Sequence, residues 1–132
     1  MLILVDTSVW IDLLGRKPTC RIIESQLERV ATCPPIIQEI VQGISDDQIR
    51  EEIKERFLGL PSIAEKLVTE DYLQAAHLYQ LGRKKGYTIR SSVNCLIAAL
   101  AIKRNIPVWH QDRDYEYIAK YTSLRTLRGR QI

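Results

Sequence analysis

The sequence predicts an α/β fold: a single three-layer domain whose central parallel sheet of four to five short strands is flanked by helices. Short apolar runs, of which Leu2–Val5 is the clearest, lack charge on either face, which is typical of strands buried in a parallel sheet. Segments with apolar residues at helical spacing alternate with these runs, and such alternation places helices on both faces of a sheet. The length of 132 residues suits one domain that spans residues 1–132.

The composition is that of an ordinary globular chain. Hydrophobic residues make up 45% and charged residues 27%. No apolar run approaches the roughly 20 residues of a membrane span, and no basic region precedes the first apolar run, so we expect no signal peptide and a cytoplasmic location. The net charge of +3 permits a nucleic-acid partner without demanding one. Cys20, Cys33 and Cys95 lack metal-ligand spacing, which predicts free, buried thiols.

The first strand ends in a polar segment that begins a helix. Asp6, Thr7 and Ser8 follow Leu2–Val5 directly, and apolar residues then recur at helical spacing. We therefore expect the Asp6 carboxylate at the carboxyl end of a strand. Ligands of open α/β sheets bind outside those strand ends, which makes Asp6 the first candidate for chemistry. Capping of the following helix is an equally acceptable role for the same side chain.

Two helices and a second strand are predicted between Thr19 and Gly43. Thr19 is placed to cap a helix whose apolar face consists of Ile22, Ile23, Leu27 and Val30. A brief second strand over Ala31–Cys33 follows. Two prolines, beginning at Pro34, suit the first turn of a strongly apolar helix that contains Glu39 and ends at Gly43.

The remainder of the chain predicts four helices and two strands. Ser45 and Gln48 have capping-box spacing ahead of a charged amphipathic helix, and Thr69 is placed to cap a helix that stops at Gly86. The segment Ser62–Val68 fits either a helix or a short strand. The later elements are a buried helix capped by Ser91 or Ser92, a strand at Val108–Trp109, a helix over Tyr115–Lys120 and a strand around Leu124–Leu127.

Acidic residues follow two of the predicted strands. Asp6 follows the first strand, and Asp112 follows the strand at Val108–Trp109. Right-handed crossovers make both strands parallel in one sheet, so both carboxylates are expected at the same edge. Glu39 is the third candidate, because an apolar helix face places it near the core, where an unpaired charge is costly. A glutamate at the boundary of the apolar stripe that reaches water is the other interpretation.

Four blocks of sequence together resemble a known family. They are LILVDTSVWID at the start, PPIIQEIVQG, TIRSSVNCLIAALA, and HQDRDY near the end. In this order they are similar to the signature blocks of PIN-domain ribonucleases, specifically the VapC-type toxins of bacterial and archaeal type II toxin–antitoxin modules. The resemblance covers nearly the whole chain, with Asp46–Val68 the vaguest part. It implies a PIN-like version of the predicted domain and a divalent-metal-dependent endoribonuclease that hydrolyses RNA phosphodiester bonds.

The resemblance also implies the site residues. Asp6, Glu39 and Asp112 match the family's first, second and fourth acidic positions, and Asp114 matches an additional one. Asn94 occupies the third, where this sequence departs from the family. The implied catalytic residues are Asp6, Glu39, Asn94 and Asp112, and the implied ligands of Mg²⁺ or Mn²⁺ are Asp6, Asn94, Asp112 and Asp114. Because asparagine lacks the negative charge, metal affinity and water activation should both fall. Asn94 is either a natural variant or an isosteric change made to silence the enzyme.

Other functional classes are weighed against a nuclease. His77, His110 and the cysteines lack the spacing of a Cys-His pair, and His77 is expected on a helix surface. The Asp-x-Asp-x-Thr pattern of haloacid-dehalogenase-like phosphatases is absent, because Ser8 occupies the place of its second aspartate. The acidic pair and late lysine of receiver domains are also missing. The serious rival is a catalytically inactive PIN domain that binds RNA or an antitoxin protein, which Asn94 favours.

Basic residues and the family resemblance indicate partners. Arg90, Arg83 and Lys84 are candidates for contacts with RNA phosphates. Stabilisation of a helix C-terminus accounts equally well for Arg83–Lys85. The resemblance implies a homodimer and a cognate VapB-type antitoxin whose terminal segment covers the active site, with no membrane partner. It does not specify the RNA target, since function varies within one fold.

Overall fold

The centre of the molecule is a four-stranded parallel sheet. The structure is a computed structural model that describes all residues, Met1–Ile132. The strands are β1 (Ile3–Val5), β2 (Val30–Ala31), β3 (Val108–Trp109) and β4 (Thr126–Leu127). Their order is β2-β1-β3-β4, and every neighbouring pair is parallel. β1 is hydrogen-bonded on both sides, as expected from its unbroken apolar run. The predicted fold class is confirmed, and β2 begins one residue earlier than predicted.

Six α-helices and one 3₁₀ helix connect the strands and cover the sheet. They are α1 (Thr7–Leu13), the 3₁₀ helix (Glu24–Arg29), α2 (Pro34–Gln42), α3 (Asp47–Leu58), α4 (Thr69–Lys84), α5 (Ser92–Arg104) and α6 (Arg113–Ala119). None of these helices combines the length and the hydrophobicity that a bilayer span requires.

The two faces of the sheet contact two separate apolar clusters. Alternate side chains of a strand point to opposite faces. Leu4 accordingly belongs to a cluster of 22 buried residues to which α2 to α6 contribute, whereas Ile3 and Val5 belong to a second cluster of six. Val9 of α1 packs in the smaller cluster. The arrangement gives the three predicted layers.

The helix α5 lies in the interior of the larger cluster. Its buried residues form the continuous run Asn94–Ala101, as predicted for a helix that is apolar nearly all round. Of the two candidate caps, Ser91 is the one used: its hydroxyl accepts a hydrogen bond from the Asn94 amide at 3.3 Å. This cap places Asn94 in the first turn of α5. The three cysteines are buried and free, as predicted.

The prediction of an α-helix after Thr19 is wrong. The chain runs extended before it forms the 3₁₀ helix, because its amides are engaged elsewhere. The Asp12 carboxylate accepts hydrogen bonds from the Thr19 and Cys20 amides at 2.8 and 2.7 Å. Arg21 then pairs in parallel with the last residues of the chain. Long-range partners therefore outweigh the helical spacing of the apolar residues.

Two other helix starts differ from the prediction. α3 is capped by Asp46 rather than Ser45, because the Asp46 carboxylate accepts an amide hydrogen bond from the first turn at 2.9 Å. Thr69 is the first residue of α4 rather than its cap. The Asp71 carboxylate accepts a hydrogen bond from the Val68 backbone amide, just before the helix, at 2.9 Å. The segment Ser62–Val68, which fitted either a helix or a strand, forms no helix. It makes a single parallel bridge, from Ser62 to Thr32 just after β2.

Candidate active site

Two acidic side chains lie at the carboxyl ends of neighbouring strands. Asp6 follows β1 directly and Asp112 follows β3 closely. Because β1 and β3 pair in parallel, both side chains lie at the same edge of the sheet, as expected. Each also caps a helix: Asp6 accepts from the Ser8 amide and Asp112 from the Asp114 amide, both at 3.0 Å. The cap at Asp112 makes α6 begin earlier than predicted.

Asp6 is 2% exposed, and the two oxygens of its carboxylate are held by different neighbours. Oδ1 accepts a hydrogen bond from the Tyr115 hydroxyl at 2.6 Å. Oδ2 accepts one from the Ser8 hydroxyl at 2.6 Å, and the same hydroxyl accepts the Gln111 amide at 2.9 Å. Ser8 thus joins the end of β1 to the loop after β3. These contacts give the carboxylate one defined direction.

Asn94 lies between the acidic residues of the β3–α6 segment. Its Nδ2 donates to Asp112 Oδ2 and to Asp114 Oδ2, each at 3.0 Å. Its Oδ1 accepts from the Tyr115 hydroxyl at 3.1 Å. Through Tyr115, Asn94 is also connected to Asp6. The structure therefore brings the four predicted metal ligands into one hydrogen-bonded group.

Glu39 approaches this group from α2. Its Oε1 accepts a hydrogen bond from the Thr7 hydroxyl at 2.7 Å. Burial raises the pKa of the Glu39 carboxyl, the Thr7 hydrogen bond opposes this shift, and the negative charges of Asp6 and Asp112 add to it. Glu39 therefore lies within electrostatic reach of both strand-end carboxylates. It is half-buried, between a core position and free solvation.

No basic side chain neutralises these carboxylates. The ion pairs of the protein involve other acids, namely Asp47, Glu51, Asp71 and Glu116. Gathered carboxylates repel one another unless a cation or hydrogen-bond donors compensate them. No three His, Cys, Asp or Glu side chains are arranged to hold a metal ion by themselves. The group that contacts both Asp112 and Asp114 is an amide, that of Asn94.

A second hydrogen-bond chain supports the backbone at Asp112. His110 is 2% exposed, and its Nδ1 accepts the Asp112 amide at 3.1 Å, so this nitrogen carries no proton. Nε2 is then the donor to Glu116 Oε2 at 2.9 Å, and Glu116 also accepts from the Thr126 hydroxyl of β4 at 2.7 Å. His77 is exposed on α4, as predicted. Both ring nitrogens of His110 are engaged by partners other than cysteine, so His110 is not part of a Cys-His pair.

The residues predicted to contact RNA are exposed and form no ion pairs. The Arg90 backbone amide donates to Asp114 Oδ1 at 3.3 Å, and the Ser91 amide donates to Oδ2 at 3.2 Å. Arg83 and Lys84 form the last turn of α4. The loop between α4 and α5 therefore runs from a basic helix end to the acidic group.

Three neutral side chains that hold the carboxylates are not among the residues predicted for the site. Thr7 and Ser8 adjoin Asp6 in the polar segment after β1, and a strand-to-helix turn is itself a signal for such capping hydroxyls. Tyr115 has no local signal, because its contact with Asp6 spans 109 positions of the chain. These three hydroxyl groups determine how the acidic side chains are directed.

The chain is similar to known proteins over nearly its whole length. A family model described as the PIN domain matches residues 3–121. VapC ribonuclease Mb1587 of Mycobacterium bovis and ribonuclease VapC11 of Mycobacterium tuberculosis are each 35% identical over 130 residues, covering 94% of this chain and 96% of the relative. Among solved structures, VapBC-5 of Mycobacterium tuberculosis has a TM-score of 0.69 at 22% identity, covering 97% of this chain and 98% of that chain. VapBC-1 of nontypeable Haemophilus influenzae has a TM-score of 0.73 at 14% identity, covering 96% and 97%.

A parallel sheet with acidic side chains at its carboxyl edge, matched by the domain model over most of the chain, defines a PIN-domain protein. Within that class, the chain belongs to the VapC ribonucleases, the toxin endoribonucleases of VapBC toxin–antitoxin systems. The resemblance of the four sequence blocks and the PIN-like fold are therefore confirmed. As a class, PIN-domain nucleases use divalent metal ions.

Proposed function

We propose that the acidic centre hydrolyses RNA with the help of Mg²⁺ or Mn²⁺, and that its catalytic residues are Asp6, Glu39, Asn94 and Asp112. The observation that carries this proposal is the gathering of carboxylates from β1, α2 and the β3–α6 segment with no basic side chain among them. Such a concentration of negative charge favours a bound cation.

The donor chemistry fits a hard divalent cation. Mg²⁺ prefers oxygen ligands and usually takes one or two carboxylates, with water and substrate phosphates completing its shell. Asp6 and Asp112 would supply those carboxylates, and Asp114 and Asn94 would be further oxygen ligands. Asn94 fits least well, because its oxygen faces Tyr115 and its N–H groups face the carboxylates. The proposed site is therefore a weakened version of an acidic metal site.

The chain's own side chains orient the reaction and move the proton. A bound divalent ion supplies charge neutralisation at the phosphate and a lowered pKa of coordinated water. Asp6 is held by Ser8 and Tyr115, so its carboxylate need not reorganise when RNA binds. Glu39 accepts the proton of the attacking water, and the raised pKa of its carboxyl suits proton transfer nearer to neutral pH.

Partners follow from the same assignment. RNA phosphates would contact Arg90, Arg83 and Lys84 along the loop between α4 and α5, which ends at the acidic group. The structurally similar VapBC-5 is a member of the VapBC family of toxin–antitoxin systems. We expect this chain likewise to bind a VapB-type antitoxin, to form a homodimer and to act in the cytoplasm.

The experiment measures the rate at which the chain as written and its Asn94→Asp variant cleave labelled single-stranded RNA, in the presence of Mg²⁺, Mn²⁺ or a chelator. We expect Asn94→Asp to cleave at least about tenfold faster with metal, since even outer-shell groups of a metal site contribute that much. Asn105→Asp is the matched control, because it makes the same chemical change at the distant end of α5. If Asn94→Asp shows no metal-dependent cleavage, the nuclease assignment is wrong.

A catalytically inactive PIN domain that binds RNA or an antitoxin is the second candidate function, and Asn94 is the observation that favours it. RNA binding by the chain as written and by Asn94→Asp, without cleavage by either, would support this role.

Arg90→Ala is expected to weaken RNA binding and to reduce the slope of log affinity against log salt by about 0.7. Arg56→Ala, an exposed and unpaired arginine on α3, is the control. An unchanged slope for Arg90→Ala rejects its phosphate contact.

A further inference from the structure

We infer that Asn94 and Tyr115 act as a pair that holds the acidic centre together by hydrogen bonds when no metal is bound. Asn94 supplies the donors that compensate the carboxylates, and Tyr115 is a positioning residue for Asn94 and Asp6. The inference deepens the proposed function, because it rests on the assignment of this centre as the metal site. Its consequence is that the folded chain as written does not depend on a cation.

The two ends of the Asn94 amide face groups of opposite hydrogen-bonding character. The two N–H groups of Nδ2 are matched by two acceptors, Asp112 Oδ2 and Asp114 Oδ2, each at 3.0 Å. At the other end, Oδ1 lies 3.1 Å from the Tyr115 hydroxyl. A reversed amide would turn its oxygen toward two carboxylates and be repelled by both. The surroundings therefore permit one orientation of the amide.

Tyr115 connects this amide to the acidic residue on the neighbouring strand. Its side chain is fully buried, and its hydroxyl lies 2.6 Å from Asp6 Oδ1 and 3.1 Å from Asn94 Oδ1. The single hydroxyl hydrogen is shared between these acceptors, and the shorter contact with the carboxylate is the stronger.

The pair compensates the same three carboxylates that a cation would gather. Its N–H and O–H groups are directed at Asp112, Asp114 and Asp6. Hydrogen bonds to charged acceptors in a buried site are among the strong ones. The Asn94→Asp variant instead places an acceptor against two carboxylates and removes both N–H donors. In that variant a bound cation relieves the repulsion that the lost donors no longer offset.

The test is thermal unfolding followed by circular dichroism, with Mn²⁺ or with a chelator and without RNA. The chain as written should unfold at nearly the same temperature in both conditions. For Asn94→Asp we expect a decrease in Tm of about 10 °C in chelator, from two lost hydrogen bonds to charged groups, and recovery with Mn²⁺. The control Asn105→Asp adds the same charge at the C-terminal end of α5, and any change in its Tm should be the same with Mn²⁺ as with chelator.

Tyr115→Phe tests the positioning role. It should lower Tm in chelator and make the chain more responsive to Mn²⁺ than the chain as written, because Asp6 has lost its donor. Tyr117→Phe is the matched control on the same helix, since the Tyr117 hydroxyl has no hydrogen-bond partner in the protein. A purely structural role of the Tyr115 hydroxyl would lower Tm equally with and without Mn²⁺, and that result overturns the positioning role.

The inference is also overturned if Mn²⁺ stabilises the chain as written as strongly as it stabilises Asn94→Asp, or if Asn94→Asp is as stable in chelator as its parent. If Asn94→Asp does not fold without metal, it is purified with Mn²⁺, and loss of its circular dichroism signal on chelation supports the inference. Asn94→Leu, which removes the donors without adding charge, should lose stability in chelator and regain part of it with Mn²⁺, because Asp112 and Asp114 have then lost their donors. Because no RNA is present, these outcomes are independent of whether Asn94→Asp cleaves RNA.

Discussion

Replacing Ser8 with alanine is expected to loosen the link between the two strand ends that carry acidic residues. The Ser8 hydroxyl donates to Asp6 Oδ2 at 2.6 Å and accepts from the Gln111 amide at 2.9 Å. It therefore bridges the segment after β1 and the loop that leads to Asp112. Alanine makes neither contact, and Asp6 loses one of the donors that direct its carboxylate.

The expected magnitude follows from these two contacts. A hydrogen bond to a charged group contributes about 1.5–3 kcal/mol to stability, and a neutral one about 0.5–1.5 kcal/mol. Asp6 Oδ2 keeps its hydrogen bond from the Ser8 backbone amide at 3.0 Å. Because Gln111 is exposed, its backbone amide can donate to water instead. The loss is therefore smaller than the sum. We expect the free energy of unfolding to fall by about 2 kcal/mol, which corresponds to a decrease in Tm of about 6 °C.

The assay is urea unfolding in the presence of a chelator, followed by tryptophan fluorescence and circular dichroism, with an unchanged m-value as the sign of a simple stability change. Ser8→Thr retains a hydroxyl and should recover most of the loss. Ser123→Ala removes an exposed hydroxyl without partners and should stay within about 0.5 kcal/mol of the parent. If Ser8→Ala also stays within that range, the bridge does not hold the strand ends together.

Three further predictions concern the scaffold. Ile97 is 0% exposed on α5, so Ile97→Ala should cost about 3–4 kcal/mol in urea unfolding, whereas Ile49→Ala at a 52% exposed position should cost little; equal losses would contradict the assigned core. A Cβ on Gly82 would lie 2.5 Å from the Tyr121 hydroxyl, which donates to a backbone carbonyl of α4. Gly82→Ala should therefore cost about 1–3 kcal/mol, and Gly129→Ala, with nothing closer than 3.8 Å, should not; a neutral Gly82→Ala would show that Tyr121 moves freely. Hydrogen bonds from the Thr19 hydroxyl and the Cys20 amide lower the pKa of Asp12 to about 2. Because its folded pKa lies below the ordinary value of 3.8, Asp12 contributes stability above that pH and loses it as the pH falls toward 2. Plots of Tm against pH for the parent and for Asp12→Asn should converge in that window, and a constant separation would contradict this role.

Much of the fold was predictable because its signals are local. The apolar run of β1, the prolines at the start of α2 and the continuous apolar surface of α5 each identify an element within a few residues. The segment after Thr19 shows the limit of such signals. Its apolar spacing favours a helix, but Asp12 and the end of the chain supply hydrogen-bond partners that the local sequence does not reveal.

The sequence by itself determined the α/β class and the placement of Asp6 and Asp112 at parallel strand ends, because a buried strand followed by an acid is a local pattern. Only the tertiary structure decided what those acids contact. The direction of the Asn94 amide and the place of the Tyr115 hydroxyl beside Asp6 depend on side chains that are distant in sequence and meet only after folding. Such contacts leave no periodicity along the chain, so they become visible only in three dimensions.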